Sequence, residues 1–270
     1  MKIILSRKGF DAQNGCMPSP ILDSEMISMP IPVEQSHSQY TFQDLMYNGI
    51  TYRDLLSKLK GKLFENLKCH LDPDIRLGIR DCKNWQPAYG QVRGSQTHLM
   101  NQGVSLGDLF LFFGWFRNTT LDKYGNLRFS GPHIQAIYGY LQIGEILQGS
   151  DIQMRYPWHP HAIPEDFSDA DNTLYLPSRR LSFDGCETDL PGYGVLKFRD
   201  NLILTKPGMS RYRWKLLPWM HKTTISCHNS SNIKSEYFQS AAIGQEFVIQ
   251  DNSEASDWAR SIIFYDGDGS

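Results

Sequence analysis

Two long apolar runs constrain this chain more than any other feature. The first is Gly107-Asp108-Leu109-Phe110-Leu111-Phe112-Phe113-Gly114-Trp115-Phe116, and the second spans 133–146, from His133 through Ile137, Tyr138 and Leu141 to Ile146. Aromatic and β-branched residues fill both, as they do in strands that lie on a packed sheet. A Gly-Asp pair precedes the first run, and Gly139 and Gly144 interrupt the second, where glycine marks a bend or a close approach of another backbone. The pattern predicts that 107–113 and 136–146 are antiparallel neighbours in a curved hairpin that closes a small barrel.

The remaining pattern points to an α+β protein: a mostly antiparallel curved sheet or small barrel with flanking helices and long loops. Residues 2–5 are β-branched and apolar and run into a polar, turn-rich loop, while 26–32 form an edge strand limited by Pro30 and Pro32. Leu55, Leu56, Leu59, Leu63 and Leu67 recur at helical spacing, and Thr51 with Asp54 resembles a capping box. These predict a helix over 51–68 packed on the sheet. Residues 70–102 read as polar loops, 194–198, 201–205 and 247–249 as short strands, and 254–264 as a terminal helix capped by Ser253.

At 270 residues with 40% hydrophobic side chains, the chain can bury a sizeable core, and neither a repeat nor a linker divides it. We read 1–270 as one elaborated domain. The short apolar run at the N-terminus does not make a signal-peptide core and no later segment approaches a membrane span, so a cytoplasmic protein is expected. Five scattered cysteines without a Cys-x-x-Cys pair fit reduced thiols better than a disulfide framework or a zinc ribbon. A net charge of −2 supplies no global basic field, so any nucleic-acid contact has to be local, as in a pocket for one nucleotide or one flipped base.

Several polar groups are placed for such chemistry. Ser6, Arg7, Lys8 and Asp11 surround Gly9 where the first strand ends; the cations suit a phosphate and Asp11 a sugar or base, the alternative being a solvated turn with an internal ion pair. Asp72 and Asp74 flank Pro73, an arrangement suited to hard-metal ligation or acid/base work, or to an Asp-Pro turn. Gln91 can read a base edge and His98 can transfer a proton near neutral pH, or serve as a structural histidine. In 210–215, Arg211, Arg213 and Lys215 alternate with Tyr212 and Trp214, which fits either a phosphate-facing strand or an amphipathic edge strand. Arg179 and Arg180 could extend that patch. Glu246 could pair with an arginine or act as a base, and His228 is a further titratable candidate.

Trp158-His159-Pro160-His161 offers two imidazoles at i and i+2, with Glu165, Asp166 and Asp169 downstream. No third ligand is defined by spacing, so the segment reads as an exposed, proline-stiffened loop, and no metal ligands or cofactor are assigned. Phosphate-binding, dinucleotide-binding, zinc-deaminase and nucleophile-elbow motifs are absent.

The phrases Ser6-Arg7-Lys8-Gly9-Phe10-Asp11, Pro18-Ser19-Pro20-Ile21, Leu71-Asp72-Pro73-Asp74, the run at 107–116, Leu174-Tyr175-Leu176, Arg211-Tyr212-Arg213-Trp214-Lys215-Leu216 and Gly244-Gln245-Glu246-Phe247-Val248 together resemble the nucleotide modification associated domain 3 family, nearly end to end. Within 103–147 the strand pair also resembles PUA-like domains, including the EVE and ASCH groups, which are small barrels that recognise RNA or modified bases. The first resemblance implies a link to bacterial or phage systems that alter DNA bases, with partner proteins of such a system, but no chemistry; fold likeness does not establish function. The expectation is a protein that binds a nucleotide or extruded base and acts in base modification. The alternatives are a noncatalytic reader of modified DNA or RNA and an interaction protein of a phage or defence system.

Overall fold

A computed structural model describes residues 1–33, 37–60, 67–242 and 245–264. Its main sheet has nine strands: β1 (Ile3–Arg7), β2 (Ser19–Leu22), β3 (Glu25–Met26), β4 (Tyr89–Gln91), β5 (Leu109–Leu121), β6 (Leu127–Gln148), β7 (Thr173–Pro177), β8 (Tyr193–Val195) and β9 (Glu246–Ile249). The order is β9-β1-β5-β6-β7-β4, with β8 beside β6, β2 beside β5 and β3 beside β2. The two apolar runs form the antiparallel β5–β6 hairpin, as expected, with Phe113 opposite Ile137 and Leu109 opposite Gln142. Its turn is built by Asp122, whose carboxylate accepts from the backbone N–H of Tyr124 and Asn126.

The sheet is mixed. β1 and β2 run parallel to successive stretches of one edge of β5, and the remaining pairings are antiparallel. Among the described residues it does not close into a barrel: β9 and β4 end the series without pairing with each other. Bulges in β6, between Ile137 and Gly139 and between Ile143 and Glu145, bend the strand as its partners change from β5 and β8 to β7. Gly139 stands at the first bulge because a Cβ there would lie 2.5 Å from Ile75 Cδ1 and 2.9 Å from Gly194 O.

Among the described residues four α-helices flank the sheet: α1 (Tyr52–Lys60), α2 (Arg93–Asn101), α3 (Ser150–Arg155) and α4 (Ser253–Ile263). Thr51 Oγ1 accepts from Asp54 N–H at 3.0 Å, as the capping pattern requires. Leu55 and Leu56 are buried with Phe42 and Tyr52 in a second core, each leucine stabilising the fold by about 1.5–3 kcal/mol. The helix expected over 51–68 is shorter: 61–66, with Leu63, lie outside the described residues, and Lys68–His70 is a strand paired with Ile31–Val33. The terminal helix is capped one residue earlier than expected, by Asn252, which accepts from Ala255 N–H. The expected loop over 70–102 contains α2, and 201–205 holds a 3-10 turn rather than a strand. Among the described residues no helix is long and apolar enough to cross a membrane.

Candidate functional site

Strand β4 presents different chemistry on its two faces, because successive side chains in a strand point in opposite directions. Tyr89 and Gln91 project one way and meet Glu246, the first residue of β9, at the other end of the strand order. Glu246 Oε1 accepts from Tyr89 OH at 2.7 Å, from Gln91 Nε2 at 2.6 Å and from Ser6 Oγ at 3.1 Å. Lys8 Nζ lies 3.2 Å from the same oxygen and 4.5 Å from the centre of the Tyr89 ring. All five residues are buried. Burial first, and then the neighbouring Glu246 charge, push the Tyr89 phenol well above its ordinary range, so it stays a donor.

Four donors converge on Oε1, whereas Glu246 Oε2 is buried without a hydrogen-bond partner among the described residues. Glu246 lines a recess of about 480 Å³ with Val92, Arg93, Gly94, Ser95, His98 and Cys227. Facing it is the N-terminus of α2, which no side chain caps and whose first turn carries no acidic residue. First-turn N–H groups and the helix dipole favour an anion there. His98 Nε2 is 2.9 Å from Ser226 Oγ and 3.9 Å from Cys227 Sγ, and Cys227 sits at φ 64, in the left-handed region.

On the opposite face of β4, Gly90 meets a cluster of histidines. Its N–H donates to Asp72 Oδ1 at 2.8 Å, and a Cβ at this position would lie 2.3–2.6 Å from atoms of the His161 ring. Asp72 Oδ2 is 3.8 Å from His70 Nε2, and Asp72 Oδ1 is 3.5 Å from His159 Nε2. One ligand atom from each of His70, Asp72 and His161 lies within 4.8 Å of the others. Burial alone would raise the Asp72 carboxyl, but the side chains of His159 and His70 and the nearby His161 outweigh it and hold it below the usual carboxylate range. Burial lowers His161 to about 3, so its imidazole is neutral.

The expected site residues therefore separate. Ser6, Lys8, Gln91 and His98 come together around Glu246 and the recess. Arg7 does not join Lys8: its guanidinium donates to the carbonyls of Ala241 and Ala242 at 2.6 and 2.7 Å and lies over the Phe113, Phe247 and Tyr212 rings. Lys8 directly follows β1 and its N–H still bonds Phe113 O, so the alternation of the strand carries one residue further and sends the two cations to opposite sides. Asp11 accepts from the N–H groups of Gln13 and Asn14 and shapes its own turn. Asp74 is taken by Arg80, at 3.1 and 2.6 Å, and by Trp85 Nε1 at 2.9 Å, in a buried ion pair rather than an open carboxylate. Arg211 stacks on Trp115, 3.9 Å from the ring centre, and Arg213 lies over Tyr237. Only Arg213 and Trp214 of 210–215 form a strand, paired with Phe238–Gln239.

The histidine pair of 159–161 is buried rather than exposed, and its acidic neighbours Asp166 and Asp169 are engaged by His37 and Arg93. His228 is structural: Nδ1 is 2.9 Å from Ser226 O, and Nε2 accepts from Ala241 N–H at 2.9 Å. Tyr89 and His70 carried no local signal that set them apart. Both lie in short strands whose partners are distant in the chain, and only the fold brings them to the site.

The family profile for nucleotide modification associated domain 3 matches residues 2–250, which span both faces of β4 and every residue of the Glu246 cluster. The chain belongs to that family. No curated protein and no solved structure matches it. Membership in the nucleotide modification associated domain 3 family relates the protein to nucleotide modification and leaves the role of each face to be argued from its chemistry.

Proposed function

We propose that the protein accepts a nucleotide or an extruded base in the Glu246 recess and acts in nucleic-acid base modification. The observation that carries this reading is Glu246 itself, which lines a recess whose other wall is the uncapped N-terminus of α2 and whose Oε2 is buried without a hydrogen-bond partner among the described residues. A carboxylate oxygen held ready by four contacts to its twin is an acceptor for the amino or imino N–H of a base edge, as when Glu accepts from cytosine N4. The first-turn N–H groups of α2 would take the phosphate. The base end and the anionic end of a nucleotide thus each find a complementary group, and Lys8 balances the carboxylate that the base would cover.

Titration calorimetry with the common deoxynucleoside monophosphates and a short single-stranded oligonucleotide tests the pocket. Binding by the native protein, weakened about tenfold or more by Glu246→Gln and weaker for nucleosides than for nucleotides, supports it; the expected loss corresponds to one charge-assisted hydrogen bond of about 1.5–3 kcal/mol. Absence of binding to all of these, or the same affinity in the Glu246→Gln variant, would exclude it. Nucleoside mass spectrometry of DNA and RNA from cells with the native gene or the Glu246→Gln variant then separates an enzyme, which changes a base, from a reader, which does not.

A further inference from the structure

The histidine cluster behind β4 has a division of labour that can be read from its hydrogen bonds. Asn172 Nδ2 donates to His161 O at 2.8 Å, which fixes the orientation of its amide and leaves Oδ1 as an acceptor facing His161 Nδ1 at 2.6 Å. His161 Nδ1 must then carry the proton, and Nε2 keeps its lone pair. His159 is the reverse. Its Nδ1 accepts from His161 N–H at 3.2 Å, so in the neutral ring the proton sits on Nε2, next to Asp72 Oδ1. Asp72 Oδ1 is already occupied by the Gly90 N–H, which leaves Oδ2 on the side of His70.

We propose that His70, Asp72 Oδ2 and His161 Nε2 bind a divalent first-row transition-metal ion, with His159 and Asn172 as positioning residues. Two imidazoles and one carboxylate suit zinc or iron rather than magnesium or calcium, whose sites are built from oxygen. A ligating histidine whose other nitrogen donates to a fixed acceptor, as His161 does to Asn172, is the usual second layer of such a site. The side chains of Asp72 and His159 are 4% and 0% exposed whereas that of His70 is 20% exposed, so His70 stands at the route by which an ion would enter. Bonds of about 2.1 Å to a shared tetrahedral ion set donors about 3.4 Å apart; binding would draw the three side chains inward. His161 is held flat against the Gly90 backbone and stacks on Phe167, 4.2 Å between ring centres, so the movement falls mainly to His70 and Asp72. The site is on the opposite face of β4 from the proposed nucleotide recess and does not depend on that reading.

The test uses the full chain without a polyhistidine tag. Metal analysis of the purified protein, followed by stripping with chelator and titration with Co²⁺ and Zn²⁺, should give one bound ion per chain. Co²⁺ should show the visible absorption of a nitrogen–oxygen site and Zn²⁺ should raise the melting temperature. Asp72→Asn and His70→Ala should abolish the Co²⁺ spectrum while circular dichroism remains native, and Asn172→Ala should weaken binding about 10- to 100-fold. If His161→Ala does not fold, the partly exposed His70 variant and the native titration still decide the matter. No ion bound by the native protein, or an unchanged Co²⁺ spectrum in the His70 and Asp72 variants, would overturn the proposal. Nucleotide titration of the stripped protein tests the other face separately.

Discussion

Tyr89 on β4 donates to Glu246 on β9 at 2.7 Å, so the two strands that end the sheet order are joined by side chains where no backbone ladder joins them. The curl of the sheet is thus completed by polar contacts around one carboxylate, with Lys8 as its counter-charge. Removing one member of a buried ion pair strands the other and costs about 3–5 kcal/mol. Glu246→Leu should therefore lower stability by that order, and Lys8→Met should do the same. The double variant should lose less than the sum, because neither charge is left alone. Urea denaturation of the four proteins measures the coupling; strict additivity would mean that Lys8 and Glu246 do not interact.

What the sequence made legible follows from how local each signal is. The β5–β6 hairpin was readable because two long apolar runs have few other ways to be buried, and the α1 leucine pair because 3.6-residue spacing is visible without knowing the partner. Helix α2 was not, because Gln96 and Leu99 alone are buried on it and no apolar stripe marks its period. The chemistry of Ser6, Lys8 and Gln91 is visible residue by residue, yet their shared partner Glu246 lies 155 residues beyond Gln91, and His98 reaches the same recess through Ser226 and Cys227. Neighbouring residues were separated for the same reason: Asp72 and Asp74 look equivalent in sequence, but one faces histidines and the other a guanidinium. Barrel closure is not legible in the sequence, since glycines in β6 announce curvature without saying whether the last strands meet, and β9 and β4 do not pair.

Asp74 provides a contrast to Asp72. Its carboxylate is buried against Arg80 and Trp85, whose hydrogen bonds occupy both oxygens. Asp74→Ala should destabilise the protein by about 3–5 kcal/mol, since Arg80 is left buried without its partner. At a temperature where the variant is folded, nucleotide affinity and Co²⁺ binding should match the native protein. Native stability with loss of either binding would assign Asp74 to a site.

His228 sets one slope of stability with pH. Burial, and secondarily the charge of Arg7, lower its pKa below the ordinary imidazole value of about 6.5. The unfolded chain therefore binds this proton more readily than the folded one, and stability contributed above pH ~6.5 is lost as pH falls toward the folded value. Protonation of Nε2 would also break the bond from Ala241 N–H. Replacing His228 by Gln should flatten the stability profile just below pH ~6.5. An unchanged slope in urea titrations across that range would remove His228 as its source.

Gly90 tests the two faces of β4 at once. A methyl group at its Cα would fall 2.3 Å from His161 Cδ2 and 2.6 Å from Nε2, far inside contact distance, while the backbone there is ordinary extended strand. Any cost of Gly90→Ala is thus steric, about 1–3 kcal/mol for an overpacked interior, and it is relieved by moving the His161 ring. That movement should break the Asn172 bond and abolish the Co²⁺ spectrum, whereas nucleotide binding through Glu246 on the other face should weaken little. The double variant Gly90→Ala, His161→Ala should be no less stable than His161→Ala alone, because the ring that the methyl group would strike is gone. If Gly90→Ala costs as much with the imidazole absent as with it present, the clash lies elsewhere, and His161 is not what the glycine is there to admit.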